Sequence, residues 1–170
     1  MRIHRAVLAV SACVLALGIF AWSQSRKPGL WEMTSNMTWQ QSPLPPGIKL
    51  PPGVNSPFAG GPTTSQVCLT QAQIDKYGAP TPQSHNGDCT VQNVVLKDTS
   101  MSADWVCTGR MAGKGTLQSS WAEPDHAKGT VHFVGTMQMG ARSTPVEFTI
   151  ESTSVYKGAD CGSVQPLDMK

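Results

Sequence analysis

The chain has 170 residues, enough for one domain with a core of its own, and it carries 13 Lys and Arg against 11 Asp and Glu. Two of the basic residues lie in an N-terminal segment that we expect to be removed. The remaining chain is neutral and has no basic cluster, which excludes nucleic acid as a predicted partner. Charged residues make up only 14% of the chain, beside 16 Gly and 13 Pro, a composition typical of short strands joined by many turns.

The N-terminus has the pattern of an export signal. Two arginines in the first five residues precede an apolar run, Ala6–Trp22, and Ala21 and Ser23 are small residues of the kind that a signal peptidase reads. We therefore predict a signal peptide over residues 1–23 and a single domain over residues 24–170. The alternative is an uncleaved anchor, because the apolar run is near the short limit for crossing a bilayer. A membrane partner is expected only in that case.

Four cysteines remain after the signal segment, and they predict two disulfides in an oxidising compartment. No Cys-x-x-Cys pair occurs, so no metal site is predicted. Cys89 and Cys107 flank a predicted hairpin, which favours a bond between them. That pairing leaves Cys68 to bond with Cys161.

The first half of the domain contains two predicted strands and a short helix. Gly29–Trp39 alternates apolar and polar residues, which indicates a half-buried strand. Ser65–Leu69 is a second, shorter strand. Thr70 is a good N-cap for a helix that continues to Tyr77.

A proline-rich loop is predicted over residues 42–64, between these two strands. It holds seven prolines and a single charge, Lys49, and this composition favours polyproline II over a paired strand. We interpret it as a tether of low order. The alternative is a recognition segment for a protein partner with an aromatic groove.

The second half of the domain reads as consecutive alternating strands. A hairpin is predicted from Cys89–Leu96 and Met101–Thr108, with Val95 on the same face as Cys89. Three longer strands follow, over residues 115–122, 129–139 and 146–156. The prediction is an all-β fold: an antiparallel meander of six to eight strands, curled into a barrel or half-barrel, with one short helix. A two-sheet sandwich is the alternative.

Large apolar side chains fall on the predicted inner face, where they either fill a core or line a cavity for a small apolar ligand. They are Trp31, Met33, Met37, Trp39, Trp105, Trp121, Phe133, Met137, Met139 and Phe148. Methionine thioethers also bind copper, but no Met-His grouping accompanies them, so packing is the preferred interpretation.

Catalytic motifs are missing from the sequence. It contains no Gly-x-Ser-x-Gly elbow, His-Glu-x-x-His pair, P-loop or dinucleotide fingerprint. His85 and His126 fall in predicted loops, and His132 lies on an outward strand face. We therefore predict no enzyme activity, no cofactor and no catalytic residue.

Several short motifs resemble a bacterial envelope family, domain of unknown function 3617. The opening Lys27-Pro28-Gly29-Leu30-Trp31-Glu32 is the most specific of them. Val67–Thr70, the Cys89 and Cys107 pair, and the Gly158-Ala159-Asp160-Cys161-Gly162 segment also fit. The resemblance implies export to the periplasm of a Gram-negative-type bacterium and transfers no activity. A non-catalytic binding or structural role is the expectation, with the ligand carrier and the copper-handling protein or enzyme as alternatives.

Overall fold

The computed structural model describes residues 26–44, 61–78 and 88–166. The predicted signal peptide, most of the proline-rich loop and His85 lie outside these residues. Within the described part the strands are β1 (Gly29–Gln41), β2 (Pro62–Leu69), β3 (Cys89–Lys97), β4 (Ser100–Thr108), β5 (Met111–Glu123), β6 (His126–Met139) and β7 (Arg142–Gly158), and the helix α1 is Gln71–Tyr77.

All seven strands belong to one antiparallel sheet, in the order β2-β1-β7-β6-β5-β4-β3. Strands β3 to β7 follow each other as a meander, and β1 pairs with β7 on its free side. The sheet is curled but not closed, with β2 and β3 at its edges. The predicted meander with one short helix is confirmed, and the sandwich alternative is wrong.

Local sequence explains the helix between β2 and β3. Thr70 and Gln73 form a reciprocal capping box at the start of α1, and Gly78 ends the helix in the left-handed region at φ 65°. Seven residues are too few for a helix to be stable alone. Its buried side chains, Gln73, Ile74 and Tyr77, therefore hold α1 against the sheet.

Strand β2 begins earlier than the sequence suggested. The sequence assigns Pro62 to Thr64 to the loop, but in the structure they pair with β1, where Pro62 lies opposite Asn36 and Thr64 opposite Thr34. A proline is tolerated here because it is the first residue of an edge strand. The connection between β1 and β2 is therefore residues 42–61.

A bulge in β3 corrects a second expectation. The register shifts between Gln92 and Val95, where Asn93 adopts a left-handed φ of 52°. The extra residue reverses the alternation that follows it. Val95 consequently lies opposite Ser102 on the outer face and is 53% exposed, while Leu96 lies opposite Met101.

The inner face of the curled sheet holds two apolar clusters. The larger is contributed mainly by β4 to β7. The smaller contains Trp31, Val67, Leu69 and Ile74, with Met33 and Tyr156 against it, and it joins the N-terminal strands to α1. The core therefore lies on the inner side of the curled sheet, and the burial of these apolar side chains stabilises the fold.

Candidate functional site

A row of four aromatic side chains crosses the inner face from β1 to β4. Trp39 lies opposite Phe148, and Phe148 lies opposite Phe133. Gly115 of β5 then lies between Phe133 and Trp105. Ring centroids along this row are 5.1, 5.2 and 5.4 Å apart, the spacing of favourable aromatic pairs. We call Trp39, Phe148, Phe133 and Trp105 the aromatic row.

Three glycines make room for the centre of the aromatic row. A Cβ at Gly115 would lie 2.6 Å from the carbonyl oxygen of His132 and 3.3 Å from Phe133. Gly113 and Gly135 face each other across β5 and β6, and a Cβ on either would come within 2.9 Å of the Phe133 ring. The fully buried Phe133 ring thus occupies the space of the side chains that these glycines lack.

Nine of the ten predicted inner-face side chains belong to the two apolar clusters or pack against them, and one is exposed to solvent. Five are almost fully buried: Trp31, Trp105, Trp121, Phe133 and Phe148. Four are partly buried and pack against the clusters: Met33, Met37, Trp39 and Met137. Met139 is 41% exposed, because β6 extends beyond the core at its pairing with Arg142.

Sequence reasoning missed some members of the inner face. Met111 lies opposite Met137 and packs against the larger cluster. The predicted strand began only at Gly115, because three glycines between residues 109 and 115 obscured the alternation. Met111, like Leu117 and Trp121, has an odd residue number, so alternation along β5 places all three on the same face. This alternation is the sequence signal that identifies Met111 as an inner-face residue.

Both predicted disulfides are present. Cys89 and Cys107 lie opposite each other in β3 and β4, with their Cα atoms 4.0 Å apart. Cys68 of β2 bonds to Cys161 beyond β7, with a Cα separation of 5.5 Å. The first bond fixes an edge of the sheet, and the second ties the other edge to the segment after the last strand.

Arg26, which no pattern in the sequence singles out, is buried at the end of the sheet where β1 begins. Its Cζ atom lies 4.3 Å from the ring centroid of Trp31 and 5.5 Å from that of Trp121. Nη1 donates to the carbonyl oxygen of Gly78 at 3.0 Å. Nε and Nη2 are also buried, and neither has an acceptor in the part of the chain that the structure describes.

The elements around Arg26 hold it in place. The indole Nε1 of Trp31 donates to the carbonyl oxygen of Lys27 at 3.0 Å, which folds the segment before β1 over that ring. Gly78 fits against Trp121 because a Cβ there would lie 2.6 Å from the indole ring. Burial lowers the pKa of Arg26 to about 10, so its guanidinium still carries a charge at neutral pH.

The outer face carries an open, polar groove of about 320 Å³ over β3 to β6. Lys97, Ser100, Ser120 and Lys128 line it together with Val95, which the bulge turns outward. Most of the residues that line this groove are polar, and two of them, Lys97 and Lys128, carry a positive charge.

Titratable side chains within hydrogen-bonding reach of each other lie at the surface. Glu123, Asp125 and His126, at the β5–β6 turn, place three ligand-type atoms within 4.8 Å of one another, the one such grouping among the described residues. The hydrogen bond from His126 Nδ1, at 2.8 Å, lowers the pKa of Asp125. His132 lies on the outer face as predicted, 3.1 Å from Glu147.

The described residues contain no helix of the length and apolarity that crossing a bilayer requires.

No curated protein and no solved structure matches the chain. Residues 26–161 match the family described as protein of unknown function (DUF3617). That match runs from the buried Arg26 to the second cysteine of the long-range disulfide and so includes all seven strands. The chain belongs to the DUF3617 family.

Proposed function

We propose that this protein is a non-catalytic envelope protein that acts as a rigid binding or structural module. The observation that carries the proposal is the aromatic row. Its rings are in contact at 5.1 to 5.4 Å, and Trp105, Phe133 and Phe148 are at most 6% exposed, so little open space remains beside them on the inner face, where a carrier would hold its ligand. A sheet filled in this way offers its outer face, its edges and its ends to a partner.

The disulfides support a location outside the cytoplasm. Thiols are kept reduced in the cytosol, whereas bonds such as Cys68–Cys161 and Cys89–Cys107 persist in the periplasm. This fits export directed by residues 1–23. We accordingly propose a periplasmic protein, with an uncleaved membrane anchor as the alternative.

The position of the methionines favours packing over copper binding. Met101 is 3% exposed inside the larger cluster, and Met37 and Met137 pack against that cluster. Thioethers in such positions fill irregular gaps between aromatic and aliphatic side chains.

Mass spectrometry of protein purified natively from a bacterial envelope tests the proposal. We expect the intact mass to be that of the chain without residues 1–23, lower by the four hydrogens that two disulfides remove. We also expect that neither copper nor a small apolar molecule is bound at one equivalent. One equivalent of an apolar ligand would establish the carrier instead. One equivalent of copper would establish a copper-handling protein.

The same preparation, incubated with a metabolite extract of the envelope, tests the non-catalytic role. We expect the extract to be unchanged relative to a sample with heat-denatured protein. A metabolite that disappears only with the folded protein would establish an enzyme.

A further inference from the structure

We propose that the Nε–Nη2 edge of Arg26 is a binding site for a single carboxylate group. The inference deepens the proposed function, on which it rests, by naming the chemistry of one ligand that the module takes. It is carried by the geometry of one buried side chain.

The free edge of the guanidinium is the one that matches a carboxylate. Nη1 is occupied by the carbonyl oxygen of Gly78. The two remaining nitrogens, Nε and Nη2, direct parallel N–H groups outward from one edge of the planar guanidinium group, and such a pair binds both oxygens of one carboxylate. Both nitrogens are buried without an acceptor among the described residues.

Burial makes an unpaired edge unfavourable. Arg26 is 2% exposed, so water does not compensate for its missing acceptors. The rings of Trp31 and Trp121 face the cation and offset part of its desolvation, but a ring does not replace a hydrogen-bond acceptor. A bound carboxylate would supply two acceptors and a neutralising charge at once.

Charge balance favours a carboxylate over a phosphate. Arg26 provides one positive charge, and one carboxylate neutralises it. A phosphate carries about 1.5 to 2 negative charges near neutral pH. It would therefore leave excess negative charge in a buried place, because Arg26 is the only buried cation among the described residues.

The carboxylate has two sources that the test must separate. One is a small molecule from the surroundings. The other is the chain itself, whose only acidic side chain outside the described residues is Asp168. Lys27 and Pro28, next to Arg26, are exposed and lie outside the paired strands, so the edge is close to the surface of the protein.

Proton–nitrogen correlation spectra of the arginine Nε groups provide a direct test. Mature protein is titrated with sodium acetate, sodium benzoate and inorganic phosphate at constant ionic strength. We expect the Arg26 Nε resonance, identified by its loss in Arg26→Lys, to shift with acetate or benzoate until it saturates. Phosphate should bind at least about tenfold more weakly.

Three variants complete the experiment. Arg26→Lys keeps the charge but loses the parallel N–H pair, so carboxylate binding, followed calorimetrically, should weaken by about tenfold or more. Lys27→Met removes the neighbouring exposed charge and should leave the affinity within about twofold. If Asp168 occupies the edge, Asp168→Asn should move the Nε resonance before any probe is added and raise the affinity for acetate.

The possible results distinguish failure of the carboxylate site at Arg26 from failure of the proposed non-catalytic function. An Nε resonance that no carboxylate shifts, in Asp168→Asn as in the unaltered protein, overturns the site and leaves the non-catalytic role standing. Preference for phosphate, or equal acetate affinity in Arg26→Lys, also overturns it. The wild-type titration decides the question even where Arg26→Lys does not fold, because Arg110→Lys and Arg142→Lys, at exposed positions, identify the other two arginine resonances of the mature chain. A probe recovered chemically altered would contradict the non-catalytic role but not the site.

Discussion

Phe133 and Trp105 meet edge to face across a strand that separates them in the sheet. Their ring centroids are 5.4 Å apart and their planes are inclined by 64°. The contact exists because Gly115, the residue between them in the row, has no side chain. One glycine therefore allows β4 and β6 to share a core contact directly.

Gly115→Ala should destabilise the protein. The added Cβ would lie 2.6 Å from the backbone oxygen of His132, which cannot move without disturbing the ladder. We expect a loss of about 1–3 kcal/mol in the free energy of unfolding, measured by urea denaturation. Gly158→Ala is the matched control, because a Cβ there meets nothing within 4 Å. Equal stability of the two variants would contradict the role assigned to Gly115.

Removal of the two disulfides should have unequal effects. In the chain-entropy treatment the Cys68–Cys161 bond, with a sequence separation of 93, contributes about 5 kcal/mol, and the Cys89–Cys107 bond, with a separation of 18, about 3 kcal/mol. Double Cys→Ala variants at each pair, compared by urea denaturation, should show the larger loss for the long loop. Non-reducing peptide mapping of the unaltered protein checks the pairing, and a crossed pairing would refute both assignments.

The bulge at Asn93 should tolerate glycine but not a β-branched residue. Its left-handed φ of 52° is strained for valine, and Nδ2 donates to Asp104 Oδ2 at 2.7 Å. We expect Asn93→Val to lower stability by about 1–3 kcal/mol and Asn93→Gly by less than about 1 kcal/mol. Asn36→Val, at an exposed strand position, controls for the loss of an asparagine. A stable Asn93→Val would mean that the bulge can relax.

The pKa of Asp125 should depend on His126. The hydrogen bond from His126 is the main cause that lowers it. A carboxyl group whose pKa is lowered by folding stabilises the folded state at pH values above its ordinary pKa. That stabilisation is lost as the pH falls through the lowered pKa. In carbon-detected NMR titrations, His126→Gln should raise the pKa of Asp125. Glu123→Gln leaves the 2.8 Å contact intact and should preserve the lowered value.

Shortening the proline-rich loop should leave the fold intact. β1 ends at Gln41 and β2 begins at Pro62, so deletion of residues 45–57 still leaves a connection between the paired strands. We expect both disulfides to form and the thermal midpoint to change little, because loop-closure entropy varies slowly with length. Loss of folding would show that the segment packs as core. Retained folding with loss of a co-purifying protein would establish the recognition alternative.

Local patterns were sufficient to predict most of the strands, the helix and both disulfides. Alternation identifies a half-buried strand wherever large residues recur at every second position, as at Trp31 and Trp39. The capping residue Thr70 and the cysteines that flank the hairpin are equally local signals. The pairing of β1 with β7 was not predictable in this way, because it depends on how far the sheet curls.

The remaining differences have identifiable causes. A bulge adds one residue without a strong sequence signal, so Val95 changed faces. Met139 has the parity of a core residue but lies beyond the end of the core, so parity alone placed it wrongly inside. Arg26 is charged and precedes the first strand, and only the positions of Trp31, Gly78 and Trp121 reveal that it is buried.

The position of β1 between β2 and β7 also determines an order of events as the chain folds. The hairpins from β3 to β7 need only nearby partners, whereas β1 cannot complete its pairing until the last strand has been made and delivered. During that interval the edge of β1 that faces β7 has no ladder partner, and Tyr156 has not yet packed against Trp31. An unpaired strand edge is a template for pairing with another chain, so the time between the arrival of β1 and of β7 exposes this protein to aggregation.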